Sequence, residues 1–180
     1  MTNRPAAEPL PPPRRSDTTY RIAVVCLGNI CRSPMADVIL NQRLADAGLG
    51  DAVEVVSAGT GDWHVGNPMD RRAAATLTAH GYDATRHRAQ QITGDWLDEY
   101  DLILAMDASN RTDIAALGPA EPRVRMFRDF DPVAADGDLD VPDPYYGADD
   151  GFDTVLAMVE RTVAAIVRAL PQVLGPETRV

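Results

Sequence analysis

Val24-Val25-Cys26-Leu27-Gly28-Asn29-Ile30-Cys31-Arg32-Ser33-Pro34 reads as the end of a strand, a tight loop and the start of a helix. β-Branched Val24 and Val25 close a short apolar run over 20–25, the signature of a buried strand. The loop carries a thiol at Cys26 and a guanidinium at Arg32. If it curls, the backbone N–H groups of Leu27, Gly28, Asn29, Ile30, Cys31 and Arg32 converge on one tetrahedral oxyanion, with a helix N-terminus beneath it. Gly28 lets the backbone approach a ligand closely. Asn29 is one of the few non-glycine residues that tolerate positive φ. Ser33 either caps the helix or donates its hydroxyl to Cys26. Pro34 suits a first helical turn, where an N–H has no partner to lose. Arg32 can fork onto two phosphate oxygens. The same positive field favours Cys26 as the thiolate, the form that attacks. Strand, loop and helix together describe a nucleophile held against a bound phosphate.

Outward from this loop, helices and strands alternate. A helix is expected over 34–47, with Met35, Val38, Ile39 and Ala45 on its apolar face and Gly48 closing it. A strand follows over 53–57, a helix over 70–80 closed by Gly81, and a helical turn over 95–100. Then come a strand over 102–105, a helix over 108–117, a short strand over 124–127 and an acid-rich loop over 129–143. The last element is a long helix over 152–170, with Val155, Val159, Val163, Ile166 and Leu170 on one face and Pro171 as its stop. The alternation predicts an α/β fold: a doubly wound, four-stranded parallel sheet with helices on both faces, three layers α/β/α. Ligands of such sheets bind at the carboxyl ends of the strands, where Cys26 stands.

Residues 1–19 contain five prolines and almost no apolar side chains. They are expected to form a disordered tail, in which Pro11-Pro12-Pro13-Arg14-Arg15 is either a plain extension or a polyproline docking segment. A single domain over 20–172 and a short C-terminal tail over 173–180 complete the division. The formal net charge of -10 argues against nucleic acid or an anionic membrane as the main partner. It leaves room for a local anion site built from one Arg and a ring of N–H groups. The two cysteines sit in one loop, which favours a reducing compartment over a disulfide scaffold. No metal site is expected from two thiols without a neighbouring His, and no cofactor. The N-terminal segment lacks the apolar core of a signal peptide, and no run approaches the ~20 apolar residues of a membrane helix. A cytoplasmic protein, monomeric or weakly self-associating, is the expectation.

Cys-Leu-Gly-Asn-Ile-Cys-Arg-Ser-Pro resembles the nucleophile loop of the low-molecular-weight protein tyrosine phosphatases. Asp143-Pro144-Tyr145-Tyr146-Gly147 is similar to that family's general-acid loop, and Ser57-Ala58-Gly59 and Met106-Asp107-Ala108-Ser109-Asn110 follow in the family's order. The resemblance runs from about residue 21 to residue 170. It implies a metal-independent phosphatase that forms a cysteinyl-phosphate on Cys26 and acts on phosphotyrosine-containing proteins, releasing inorganic phosphate. On this reading Arg32 binds the transition state, and Asp143 protonates the leaving oxygen and later activates water. Tyr145 and Tyr146 line the pocket mouth, and the loop carrying Trp63 forms part of the rim. His87 matches a His that bonds the strained Asn of the loop, so its role is structural. Asp107 and Ser57 buttress the loop from behind. His64 and His80 are not expected to act in catalysis. Gln90-Gln91 departs from relatives that place an Arg before the Gln. Cys31 is either a small buried residue or a redox partner that traps oxidised Cys26 in a reversible disulfide, if the curl brings their α-carbons within ~4.4–6.8 Å.

Two other readings share this loop. An arsenate-reductase-type thiol oxidoreductase needs a further cysteine downstream, and none follows Cys31. A phosphoarginine phosphatase tends to carry Thr where Ile30 stands; the branched Ile30 narrows the pocket toward a planar ring. A non-enzymatic phosphotyrosine binder would dispense with Cys26, Arg32 or Asp143, and all three are present.

Overall fold

A computed structural model of the chain describes residues 7–16, 18–119, 122–135, 137–148 and 150–175. Its sheet has four parallel strands in the order β2-β1-β3-β4: β1 (Tyr20–Cys26), β2 (Val53–Gly59), β3 (Leu102–Ala105) and β4 (Val124–Met126). β1 is central, and its side chains alternate. Ile22, Val24 and Cys26 face one apolar cluster, and Ala23 and Val25 face the other. The first face is covered by α1 (Arg32–Asp46), α2 (Arg71–Ala79) and α5 (Asp150–Ala169), the second by α3 (Trp96–Glu99) and α4 (Ala108–Ala115). This is the three-layer, doubly wound α/β/α arrangement expected.

The helices follow from their residues. α5 buries Phe152, Val155, Leu156, Val159, Val163 and Ile166 along one side; each such side chain contributes roughly 1.5–3 kcal/mol. Asp70 caps α2 by accepting the Arg72 N–H, and Asp107 caps α4 by accepting the Asn110 N–H. α1 starts at Arg32, two residues before the expected boundary, and its N-cap Cys31 makes no side-chain cap. The first N–H groups of α1 are thus left for a ligand. β2 runs on to Gly59, opposite Cys26 in register. A β-carbon there would lie 2.7 Å from the Leu27 carbonyl oxygen, so only glycine lets β2 pass under the loop.

The expectation of a disordered tail over 1–19 is corrected for residues 7–16, which form a strap across the amino ends of the strands. Leu10 is buried in the larger core cluster, and the Tyr20 hydroxyl donates to the Pro11 carbonyl at 2.9 Å. Asp101 accepts the backbone N–H groups of both Arg14 and Arg21. The Arg14 guanidinium reaches the carbonyls of Tyr100 and Leu97. Arg123 holds the Pro12 carbonyl, and Arg125 holds those of Glu8 and Pro9. Composition predicted disorder because the strap has no apolar periodicity; apart from Tyr20, its hydrogen-bond partners lie 83 to 117 positions away. Residues 1–6 of the tail lie outside the described residues. At the other end Val173 and Leu174 pack against the core, which corrects the boundary of the C-terminal tail; residues 176–180 lie outside the description. No helix among the described residues is long and apolar enough to cross a membrane.

Candidate active site

β1 delivers Cys26 to the carboxyl edge of the sheet, and the chain curls there before α1 begins. What turns the N–H groups inward is the outward bonding of the carbonyls. The Cys26 carbonyl accepts from Thr60 N at 2.9 Å and the Leu27 carbonyl from Gly61 N at 2.9 Å. The Asn29 carbonyl accepts from His87 Nε2 at 2.7 Å, and the Ile30 carbonyl from Asp70 N at 2.8 Å. Asn29 takes φ 56°, the only positive φ outside glycine among the described residues. An inward ring of donors above an uncapped helix start, here termed the cradle, has a geometry that can receive a tetrahedral anion.

Cys26 Sγ and Ser33 Oγ lie 2.9 Å apart. Of the two expectations for Ser33, the structure chooses the sulfur over the helix cap. Asn29 Nδ2 donates to Ser33 Oγ at 2.9 Å and to Ser57 Oγ at 3.0 Å, so Ser57 sits behind the loop. Gln90, the departure noted in the sequence, is used twice. Its N–H donates to Asn29 Oδ1 at 2.9 Å and its side chain to the Ser57 carbonyl at 3.0 Å. His87 is half-buried. Burial first, then the nearby Arg88 cation, hold its imidazolium form below the usual range, against the opposing pull of the Asn29 carbonyl.

Arg32 is only 2% exposed. Its Nη1 donates to Asp107 at 2.6 Å and to the Val141 carbonyl at 3.1 Å; Nη2 stands 3.4 Å from Asp143 Oδ2. Burial works against its charge, but Cys26, Asp107 and Asp143 outweigh it and raise the guanidinium further. Asp107 therefore holds the arginine that closes the loop and also caps α4. Asp143 Oδ1 accepts the Tyr145 N–H at 3.1 Å, an Asx turn that fixes the start of the rim.

These groups open on a cavity of about 290 Å³ lined by Cys26, Leu27, Gly28, Ile30, Cys31, Arg32, Asp143 and four rings: Trp63, His64, Tyr145 and Tyr146. Trp63 is 69% exposed and Tyr146 91% exposed. The Trp63 ring lies over Gly61, where a β-carbon would fall 1.8 Å from a ring atom. His64 belongs to this wall although the sequence reading set it aside. Its ring rests on Gly28, with 3.1 Å to a built β-carbon, and lies 6.4 Å from the Tyr145 ring. Sequence gives no periodic signal for it; the clue is the neighbouring Trp63. Arg72, also missed, donates from α2 to the Tyr145 carbonyl at 3.1 Å and stands over the Phe152 ring. Cys31 is buried and lines the same cavity, and both cysteines are free thiols. Burial, then the charges of Asp70, Cys26 and Asp143, push the Cys31 thiol far above its usual range.

The family model described as low molecular weight phosphotyrosine protein phosphatase matches residues 21–174. A low molecular weight protein-tyrosine-phosphatase of Streptomyces coelicolor is 48% identical over 155 residues, 84% of this chain and 94% of that protein. Low molecular weight protein-tyrosine phosphatase A of Mycobacterium bovis is 48% identical over 145 residues, 81% of this chain and 88% of its own. The crystal structure of a protein tyrosine phosphatase from Entamoeba histolytica, with Hepes in its active site, superposes with a TM-score of 0.81. It is 28% identical, over 86% of this chain and 98% of that one. The chain belongs to the low molecular weight phosphotyrosine protein phosphatases, and it is a phosphatase enzyme of that class.

Proposed function

We propose that this phosphatase hydrolyses phosphotyrosine in proteins through a cysteinyl-phosphate, with no metal required. The observation that supports this most is the meeting of Cys26, Arg32 and Asp143 on one aromatic-walled cavity. Phosphate sits in the cradle over the N–H ring. Arg32 has Nη1 committed to Asp107 and Val141 and one Nη2 proton facing Asp143, so the second Nη2 proton and Nε–H are left for two phosphate oxygens. Cys26 Sγ attacks phosphorus as the P–O bond to the phenol breaks, and the electron pair leaves on that oxygen. Asp143 gives the oxygen its proton. Water then attacks phosphorus, its proton passing to Asp143; the P–S bond breaks, its electron pair returns to sulfur, and inorganic phosphate leaves. The cradle and Arg32 hold the equatorial oxygens through both steps.

The rings set the substrate. Trp63, Tyr145 and Tyr146 form a wall suited to a phenyl group, and Ile30 narrows the floor; a phosphoserine is too short to reach Cys26 from that rim. Under peroxide, Cys26 becomes a sulfenic acid. The Cys31 thiol then displaces its oxygen as water and forms a disulfide, which keeps Cys26 from further oxidation. Recovery of peroxide-treated Cys31→Ser enzyme with dithiothreitol as complete as that of the parent overturns this protective role.

Phosphate release from a phosphotyrosine peptide in EDTA, parent beside Cys26→Ser, tests the main reading. Release by the parent alone is the expected result. A folded parent that releases none overturns it, and phosphoarginine and arsenate then become the substrates to try.

A further inference from the structure

The run Pro11-Pro12-Pro13-Arg14-Arg15 has no part in the reaction above. Every residue from 8 to 13 is a proline or stands directly before one, which holds the segment extended, in the polyproline II range. Within it only Glu8 and Leu10 carry a backbone N–H. Whatever reads such a segment must therefore donate to its carbonyls, and the amino edge of the sheet does so with side chains. Arg125 Nη1 donates to the Glu8 and Pro9 carbonyls at 2.9 and 3.1 Å. The Tyr20 hydroxyl donates to Pro11 at 2.9 Å, and Arg123 Nη1 to Pro12 at 2.7 Å. Leu10 and Pro11 are buried against the edge, whereas Glu8, Pro9 and Pro12 are exposed.

Two further contacts fix where the segment ends. The buried Asp101 accepts the Arg14 N–H on Oδ1 and the Arg21 N–H on Oδ2, so it closes the turn between the strap and β1. The Arg14 guanidinium then reaches the carbonyls of Tyr100 and Leu97. The groove thus has a pocket for one leucine, donors for the carbonyls on either side of it, and two acceptors for a guanidinium four positions on. Its residues Leu97, Tyr100, Asp101, Arg123 and Arg125 lie inside the region 21–174 that matches the family, and the strap lies outside it. We propose that this amino edge is a recognition groove for a proline-rich segment of a partner protein, with Leu, Pro, Pro and Arg at the spacing of Leu10, Pro11, Pro12 and Arg14, and that residues 7–16 fill it in cis as an intramolecular competitor.

Donors aimed at carbonyls ask nothing of the side chains between them. A segment from another chain needs only to be extended and to carry the leucine and the arginine at that spacing, the mode by which proline-rich ligands are read elsewhere. Its low conformational freedom limits what it loses on docking. The strap competes by proximity, since a short tether holds it at an effective concentration of about 1 mM. The groove stands at the amino end of β1, and Cys26 at its carboxyl end. A partner docked there leaves the catalytic cavity open, so the proposal does not depend on which substrate that cavity takes.

A fluorescein-labelled peptide with the sequence of residues 7–16, followed by anisotropy, tests this on the full chain. Leu10→Gly with Arg14→Gly frees the groove: both side-chain anchors of the strap go, its backbone loosens, and every groove residue stays. Saturable binding to the freed chain is expected, with the parent at least about tenfold weaker because its own strap competes. Arg123→Ala in the freed chain should weaken binding about threefold to tenfold, as one lost hydrogen bond does. A peptide carrying the same two glycines should not saturate. Three results overturn the proposal: no saturation by a freed chain that still melts cooperatively, equal affinity of freed chain and parent, or indifference to Arg123→Ala and to the peptide's glycines. A parent dimer in sedimentation velocity that the freed chain lacks overturns it too, by making a second copy the occupant. Should the freed chain fail to fold, Pro12→Gly with Pro13→Gly loosens the strap with its anchors in place and is tested against the same outcomes.

Discussion

The cradle over 26–32 and the rim over 143–147 wall the same cavity and are held in opposite ways. In the cradle Asn29, Arg32 and Ser33 are buried, and outward bonds to the carbonyls of Cys26, Leu27, Asn29 and Ile30 orient the backbone. The rim has an Asx turn at Asp143, one bond from Arg72 to Tyr145, and a Tyr146 that stands almost wholly in solvent. On the function proposed above, phosphate is common to every substrate, so the donors that meet it gain from preorganisation, which costs no rearrangement as charge develops. The leaving group differs between substrates, and the side that meets it is the adaptable one.

Arg32→Lys should break the rigid half. A point charge cannot keep Asp107, Val141 and two phosphate oxygens at once. A fall in kcat of about 10²–10³-fold is expected for every aryl phosphate tested, whatever its leaving group. Asp143→Asn should sharpen the contrast. With phenyl phosphate the loss is expected to reach about 10²-fold, and with a dinitrophenyl phosphate, whose leaving oxygen needs no proton, kcat should stay near parental. Equal losses on both substrates would remove Asp143 from the acid role. Tyr146→Ala should raise KM for a phosphotyrosine peptide by roughly threefold and leave kcat and thermal stability alone, as burial of part of an exposed ring implies. The smallest expected effect concerns pH. His87 has its folded pKa held down, so the unfolded chain binds more protons as pH falls through the ordinary value of about 6.5. Its contribution to stability is present above that pH and lost below it. His87→Gln should therefore narrow the difference in Tm between pH 7.5 and pH 5.5; an unchanged difference would place the acid sensitivity elsewhere.

What the sequence disclosed follows the same division. β3 lies over 102–105 as read, because a short apolar run between turn signals has one interpretation. The cradle was legible because its residues are contiguous and each has a local duty. Arg32's partners were not legible, since Asp107 and Val141 reach it from segments about 75 and 109 positions away. The start of α1 was placed late because Pro34 marks a first turn by rule, whereas the curl of the loop already turns Arg32 and Ser33 into helix. The strap was misjudged for the converse reason: its own residues are silent, and the arginines that hold it belong to β4 and the approach to it.

That strap also decides how the domain would bear a load. Tension drawn through the N-terminal segment meets the bonds of Arg14, Arg123 and Arg125 first, and these open one after another like a zip. β1, flanked on both sides by parallel neighbours, resists as a sheared strand with all its bonds stretched together. The cradle hangs from the far end of β1, so a pull on that segment spends itself on the strap before it reaches the site.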